Sequence, residues 1–267
     1  MTISVCVSGA TGWTGSAVAQ AVLDHPDLSL RSAVGRSAAG LDLGVAWRGA
    51  AIGVPVFGSV KEALDGVDVL VDYTSHAAIR DHALVAIERG VHVVVGSSGL
   101  AAADYAELDS AARAHGVGVF AGGNFSLTAT VAQAAAALAA RHLPSWEIVD
   151  YAAAGKPDAP SGTSRELAER LDSIRSPAIE RSVAETAGPV EARGATVAGT
   201  QIHSVRLPGF ELATEIVFGL PHERLTIRHD SGTDARQFVP GTLLAIRQVV
   251  SQVGVSRGLE RLLLGEH

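Results

Sequence analysis

The sequence predicts an α/β protein, a doubly wound parallel sheet accompanied by a second α+β domain whose sheet is mixed or antiparallel. Three observations carry that expectation. Short, nearly continuous apolar runs alternate with helical apolar spacing as far as Asn124, as expected for strands buried on both faces and joined by helices. Beyond Asn124 the texture changes to an Ala-rich helix and then to strands of alternating polarity, which read as a different sheet. A chain of 267 residues that is 47% hydrophobic and 18% charged, with a mean hydropathy of +0.25, can fill two modest cores and is too apolar for disorder.

The elements follow in order. Ile3 to Ser8 is a strand ending at Gly9, and Ala17, Val18, Ala21, Val22 and Leu23 mark the helix after it. Leu28 to Val34 is the second strand, and the Gly/Ala-rich stretch from Ala38 to Val54 reads as loop without defined structure. Val67 to Asp72, His92 to Val95 and Val117 to Ala121 are further strands, separated by helices over Ala77 to Arg89 and Tyr105 to His115. In the later part, a helix spans Leu127 to His142, a strand Trp146 to Tyr151 and a helix Ser164 to Ile174. An irregular stretch runs to Gly194, and strands cover Gln201 to Leu207, Glu211 to Phe218 and Arg224 to His229. Gln237 to Val253 turns helical again, and Gly258 to Leu264 is too short to be a domain, so the tail is expected to pack back onto the first. The predicted division is 1–124 with 234–267 for one domain and 125–233 for the other.

Composition narrows the function. A net charge of −7 and the lack of any basic cluster argue against nucleic-acid binding. The N-terminal MTISVCVSG has no basic region, and no apolar run reaches the roughly 18 to 20 residues that span a bilayer. A cytoplasmic protein without a membrane partner is the expectation. A single cysteine, Cys6, lies inside an apolar strand and is read as packing; no metal site is expected.

Between the first strand and first helix stands Gly9-Ala10-Thr11-Gly12-Trp13-Thr14-Gly15. Small residues there let backbone approach a pyrophosphate, whose charge the free amides of a helix N-terminus can meet. The strand before and the helix after make this a dinucleotide loop rather than an ordinary turn. At the end of the next strand an acidic residue would accept the adenosine ribose hydroxyls, but the chain offers Gly35-Arg36-Ser37. A guanidinium there suits a 2′-phosphate, so NADPH is favoured, with NADH as the alternative. Two polar loops end later strands, Asp72-Tyr73-Thr74 and Gly96-Ser97-Ser98-Gly99, and Gly122-Gly123-Asn124-Phe125 ends the last. Thr74, Gly96, Ser97, Ser98, Asn124 and Phe125 are therefore cofactor candidates, because ligands of open parallel sheets gather at the carboxyl ends of strands, with an interdomain hinge as the alternative role of the Gly122–Phe125 segment.

The segment Tyr151 to Thr163, YAAAGKPDAPSGT, runs from a strand through a loop into a helix. Thr163 and Glu166 fit a capping box, and Ser161, Gly162 and Thr163 would present a hydroxyl and free amides to a carboxylate, with Lys156 adding charge.

Lys156 with Asp158-Ala159-Pro160-Ser161-Gly162-Thr163 closely resembles the K-x-D-A-P-S-G-T signature of the 4-hydroxy-tetrahydrodipicolinate (dihydrodipicolinate) reductase family. The likeness extends to Gly9–Gly15, Asp72-Tyr73-Thr74, Gly96–Gly99, Asn124-Phe125-Ser126, His203 to Leu207, Leu225 to Ser231 and Phe238 to Gly241, nearly the whole chain. The resemblance implies a Rossmann domain built from the N-terminal part plus the tail, a substrate and tetramerisation domain between them, a nicotinamide cofactor and an activity in lysine and diaminopimelate biosynthesis. It also exposes a departure. Members of the family carry a His-His pair and usually a third His before the lysine, the first regarded as proton donor and the second as substrate ligand. Here Ala152, Ala153 and Ala154 occupy those positions.

Alanine neither donates a proton nor binds a carboxylate, so Lys156 becomes the first candidate for contacting a substrate carboxylate or relaying a proton. Tyr151 is a weaker candidate because strand alternation turns it away from Ala152, and His203 and His229 read as structural. The resulting expectation is an NADPH-dependent reductase of a C=N bond in an imine or enamine, carboxylated and not the standard lysine-pathway intermediate, with a pocket widened at the alanines. Two alternatives stay open: a low-activity lysine-pathway reductase, and a catalytically silent NADPH-binding protein.

Overall fold

A computed structural model describes residues 2–97 and 100–264. The chain divides into two compact units, Met1–Leu127 with Asp234–His267, and Thr128–Thr233.

The first unit contains strands β1 (Ile3–Ser8), β2 (Leu28–Val34), β3 (Val56–Phe57), β4 (Val69–Asp72), β5 (His92–Val95) and β6 (Gly118–Ala121). Its helices are α1 (Trp13–Asp24), the short α2 (Leu43–Ala46) and α3 (Val60–Ala63), α4 (Ile79–Glu88) and α5 (Ala102–His115). The second unit is formed by α6 (Leu127–His142), β7 (Ser145–Ala152), α7 (Gly162–Asp172), β8 (Ala195–Val197), β9 (Thr200–Arg206), β10 (Leu212–Leu220) and β11 (Glu223–Ser231). The chain then returns to the first unit through α8 (Val239–Val249), β12 (Gly254–Arg257) and α9 (Leu259–Leu264).

Seven strands of the first unit pair in parallel in the order β12-β6-β5-β4-β1-β2-β3. This is the Rossmann arrangement, with strand order reversing between β1 and β4. Alternation along β1 shows why the sheet needs cover on both faces. Val5 and Val7 pack into a cluster with Val18 and Val22 of α1 and Ile246 and Val249 of α8, whereas Cys6 joins one with Ile79 and Ile87 of α4 and Leu108 of α5. Burial pushes the Cys6 thiol up to about 12, which keeps it protonated and inert.

The second unit has a mixed sheet in the order β11-β10-β7-β9-β8. Strands β7 and β9 are parallel and the other pairs antiparallel. Trp146 and Ile148 of β7 face a core shared with Ala136 and Ala140 of α6 and Leu167 and Leu171 of α7. Among the described residues no helix is long and apolar enough to cross a membrane.

The structure corrects the sequence reading in three places. The stretch 38–54 is ordered, because the Asp42 carboxylate accepts the amides of Ile52, Gly44, Gly53 and Val54 at 2.8–3.1 Å and closes the segment on itself. Those amides hold the Asp42 carboxyl below its ordinary range. The helix expected over 237–253 stops at Val249, and the tail supplies a seventh parallel strand, β12, paired with β6 from Gly254↔Gly118 to Arg257↔Ala121. The helix cap expected at Thr163 lies two residues earlier, at Ser161, whose side chain accepts the Ser164 amide.

Candidate active site

In the first unit, β1 delivers the glycine loop to the carboxyl edge of the sheet beside the end of β4. Gly9 has φ +83°, and a Cβ there would lie 2.7 Å from the Tyr73 carbonyl oxygen; a Cβ on Gly15 would run into the Gly9 carbonyl. Both positions therefore require glycine. Helix α1 starts with no side-chain cap at Gly12 and no acidic residue in its first turn. Its opening amides are left to an anion, the condition a pyrophosphate meets. Thr11 and Gly12 are exposed, as is Trp13 at 61%, with its indole edge-on to Phe238 at 6.0 Å, while Thr14 is half-buried.

Beyond β2, Arg36 and Ser37 form an exposed one-turn 3₁₀ helix, and Arg36 makes no ion pair among the described residues. Gly35 is close to the glycine loop, since a Cβ there would be 3.3 Å from Thr11 Oγ1. The residues present thus suit a dinucleotide: a cradle that Cβ atoms would fill, an uncapped helix start and a free guanidinium at the neighbouring strand end.

The loop after β4 is tied from within. Asp72 is fully buried; its Oδ1 accepts the Thr74 amide at 2.8 Å and the Thr74 hydroxyl at 2.5 Å, and its Oδ2 contacts His82 Nδ1 at 2.6 Å. The Asp72 carbonyl accepts the Gly96 amide at 2.9 Å and the Ser97 hydroxyl at 3.5 Å. A side chain at Gly96 would collide with the Tyr73 ring. The Tyr73 hydroxyl donates to Thr242 Oγ1 at 2.6 Å, since that oxygen's own proton goes to the Phe238 carbonyl; burial pushes the Tyr73 phenol well above its usual value. Ser98 lies outside the described residues. Asn124 caps its own turn by accepting the Ser126 amide at 2.8 Å. Phe125 is 2% exposed, its ring held edge-on between Phe120 and Tyr73, so its side chain serves packing.

In the second unit, alternation along β7 places Trp146, Ile148, Asp150 and Ala152 on the buried face. Asp150 is fully buried and accepts the Ser161 amide at 2.8 Å, the hydroxyls of Ser161 at 2.6 Å, Ser164 at 3.1 Å and Ser204 at 3.3 Å, and Arg206 Nη2 at 2.7 Å. Arg206 also donates to the carbonyls of Asp150 and Asp158 at 3.1 and 2.8 Å. Burial pushes the Asp150 carboxyl up, but the bonds from Ser161 and Arg206 outweigh it and hold the group below the ordinary carboxylate range. This pair escaped the sequence reading. Its signal was available: an aspartate on the apolar face of a strand must find a buried donor.

The same network explains the displaced helix cap. The Ser161 hydroxyl proton goes to Asp150, which anchors that residue at the start of α7 and leaves Gly162 exposed and Thr163 half-buried in its first turn. Ser161 itself is 1% exposed, so it supports the cradle rather than offering its hydroxyl to a ligand. Lys156 Nζ is 2.7 Å from Asp158 Oδ1, both about one-third exposed. Lys156 and the Gly162 amide hold the Asp158 carboxyl below its usual range.

Ala152 is fully buried, Ala153 half-buried and Ala154 exposed. The widening expected at the alanines is therefore not found at Ala152, whose methyl is covered on all sides. Tyr151, on the opposite face, packs on Phe210 at 5.0 Å and under Arg228 at 4.9 Å. His203 contacts Glu147 at 2.7 Å and His229 contacts Thr128 Oγ1 at 3.1 Å, so both have structural partners.

A parallel Rossmann sheet with an uncapped glycine loop at the point where strand order reverses marks the class of dinucleotide-binding proteins. Comparison with known proteins then fixes the family. The model for the N-terminus of dihydrodipicolinate reductase matches residues 3–125, and that for its C-terminus matches residues 123–263. The 4-hydroxy-tetrahydrodipicolinate reductases of Moorella thermoacetica and Thermosynechococcus vestitus are 39% and 37% identical, each aligned over 98% of this chain and 98% and 97% of their own lengths. The structure of a dipicolinate-bound dihydrodipicolinate reductase from Paenisporosarcina sp. TG-14 superposes with a TM-score of 0.88 at 29% identity, covering 98% of this chain and 99% of that one. The chain belongs to the dihydrodipicolinate reductase family, and is a reductase that uses a nicotinamide dinucleotide.

Two predictions follow from this geometry. Gly15→Ala is expected to abolish NAD(P)H binding in a calorimetric titration, because the added methyl runs into the Gly9 carbonyl and forces the glycine loop open; unchanged affinity would contradict the cradle. Asp150→Ala is expected to lower stability to urea by roughly 3 to 5 kcal/mol at pH 7, since Arg206 is left without its buried partner. The folded carboxyl titrates below its unfolded value, so its contribution is complete above the unfolded range and disappears as pH falls through the folded one. The gap between wild type and variant should accordingly narrow on acidification below about pH 4.

Proposed function

We propose that the protein is an NADPH-dependent reductase of a C=N bond in a small carboxylated imine or enamine, and that its preferred substrate is not the lysine-pathway intermediate for which its relatives are named. The observation that carries this reading is the segment 152–163. It keeps the means to hold an anion, Lys156 and the start of α7, while Ala152, Ala153 and Ala154 supply no proton donor.

When bound, the nicotinamide supplies the hydride. The glycine loop and the opening amides of α1 hold the pyrophosphate, and exposed Arg36 pairs with the 2′-phosphate, which is the support for NADPH over NADH. Lys156 leaves Asp158 for a substrate carboxylate, aided by the amides of Gly162 and Thr163. The dipicolinate bound to the Paenisporosarcina relative is a dicarboxylate, which fits a carboxylated substrate here. An iminium already protonated at nitrogen needs no acid in the hydride step, so loss of histidine costs it less than the roughly 10²- to 10⁴-fold that general acid catalysis contributes elsewhere. The same reading makes the protein a cytoplasmic homotetramer. Leu207 and Leu225 of the second unit, 53% and 43% exposed, are the kind of apolar surface that subunit contact covers.

A lysine-pathway reductase is the second reading, favoured by the names of relatives that match along the whole chain. NADPH oxidation with freshly generated 4-hydroxy-tetrahydrodipicolinate and a panel of cyclic imino acids, beside an authentic reductase, separates the two. Our reading expects the pathway substrate to turn over at least about 100-fold below the control, with a cyclic imine reduced faster. Turnover near the control rate would establish the pathway enzyme, and no oxidation with any substrate would leave only an NADPH-binding protein.

A further inference from the structure

The loop that ends β4 carries a hydrogen-bonding asymmetry. An ionised carboxylate only accepts, so both hydrogens in the two Thr74 contacts with Asp72 Oδ1 belong to Thr74, its amide hydrogen and its hydroxyl hydrogen. The Thr74 hydroxyl has one proton, and that proton is committed to a fully buried group. Thr74 is itself exposed. What it presents to solvent is a hydroxyl oxygen with lone pairs and no hydrogen to give.

The second Asp72 oxygen is held by His82, a partly buried side chain of α4 with Nδ1 at 2.6 Å. That bond fixes His82 with a proton on Nδ1 and keeps the carboxylate from turning away from Thr74. The Asp72 backbone carbonyl meanwhile receives Gly96 and Ser97 from the neighbouring strand end. One residue thus fixes two of the loops assigned above to the cofactor.

We propose that Asp72 and His82 are positioning residues that make Thr74 an obligate acceptor for a hydrogen-bond donor on the nicotinamide half of the dinucleotide, a ribose hydroxyl or the carboxamide amino group. The proposal rests on the dinucleotide reading of the glycine loop. It makes a distinction that a purely structural role does not. Thr74→Ser keeps the hydroxyl and its committed proton and binds NADPH like wild type. Thr74→Val has the same shape without the acceptor and binds about tenfold more weakly, the loss expected for one such hydrogen bond. His82→Leu frees the carboxylate and loses a similar factor, whereas His82→Gln, which can still donate to Asp72, recovers part of it.

Calorimetric titration of the full-length protein with NADPH tests this, with thermal melts confirming that each variant is folded. Tight binding by wild type and Thr74→Ser with weakened binding by Thr74→Val is the expected result. Repeating the titration with the 3-acetylpyridine analogue, which lacks the carboxamide amino group, identifies the donor. If the two threonine variants then bind alike, the donor is that amino group; if the tenfold gap persists, it is a ribose hydroxyl. Equal NADPH affinity of wild type and a folded Thr74→Val overturns the proposal and leaves the dinucleotide reading intact. Failure of wild type itself to bind NADPH or NADH overturns both.

Discussion

Each unit places a buried carboxylate at or near the end of a strand and surrounds it with donors from the loop and helix that follow and, for Asp150, from the neighbouring strand β9. In the second unit Asp150 gathers Ser161, Ser164, Ser204 and Arg206. In the first, Asp72 gathers Thr74 and His82. A charge withdrawn from water must be met by hydrogen bonds, and the chain meets it by fixing its own loops. The loop from β7 to α7 is therefore more than a linker. Arg206 reaches across from β9 to hold the Asp158 carbonyl, and the segment bearing Lys156 is tethered at both ends, by the Ala153 carbonyl to its amide and by Asp158 to its side chain.

How much of this the sequence disclosed depended on whether the signal was local. The parallel sheet was legible because strands buried on both faces read as apolar runs, and Val67 to Asp72 and His92 to Val95 are such runs. The glycine loop was legible because its spacing and its place between strand and helix are contiguous in the chain. The order within 38–54 was not, since a single aspartate, Asp42, gathers amides ten to twelve residues downstream as well as one nearby. Nor was β12, whose four residues become a strand only by pairing with β6. The helix cap was misplaced for a related reason. Ser161 and Thr163 can both cap a helix in isolation, and Asp150, eleven residues upstream of Ser161, anchors the cap there.

The alanines change what the site can do more than how it folds. Ala152 continues the buried face of β7, and its carbonyl accepts the Leu207 amide, so the strand end is built normally. What is missing is an imidazole. Lys156 remains as a cation one-third exposed and paired with Asp158, a contact that solvent screening keeps weak. The resemblance drawn from the sequence gives proton donation and a substrate contact to the two histidines, and the chain has Ala152 and Ala153 at their positions.

Lys156 as the group that holds a substrate carboxylate is the central claim of this account. Titrating pyridine-2,6-dicarboxylate into the NADPH-loaded protein, with wild type and Lys156→Met compared by calorimetry, tests it most directly. Wild type should bind the dicarboxylate, and the variant should bind it at least about tenfold more weakly, as expected for loss of a charged hydrogen bond. Equal affinity in the two proteins would contradict the claim and move the anion site away from the Asp150-held loop.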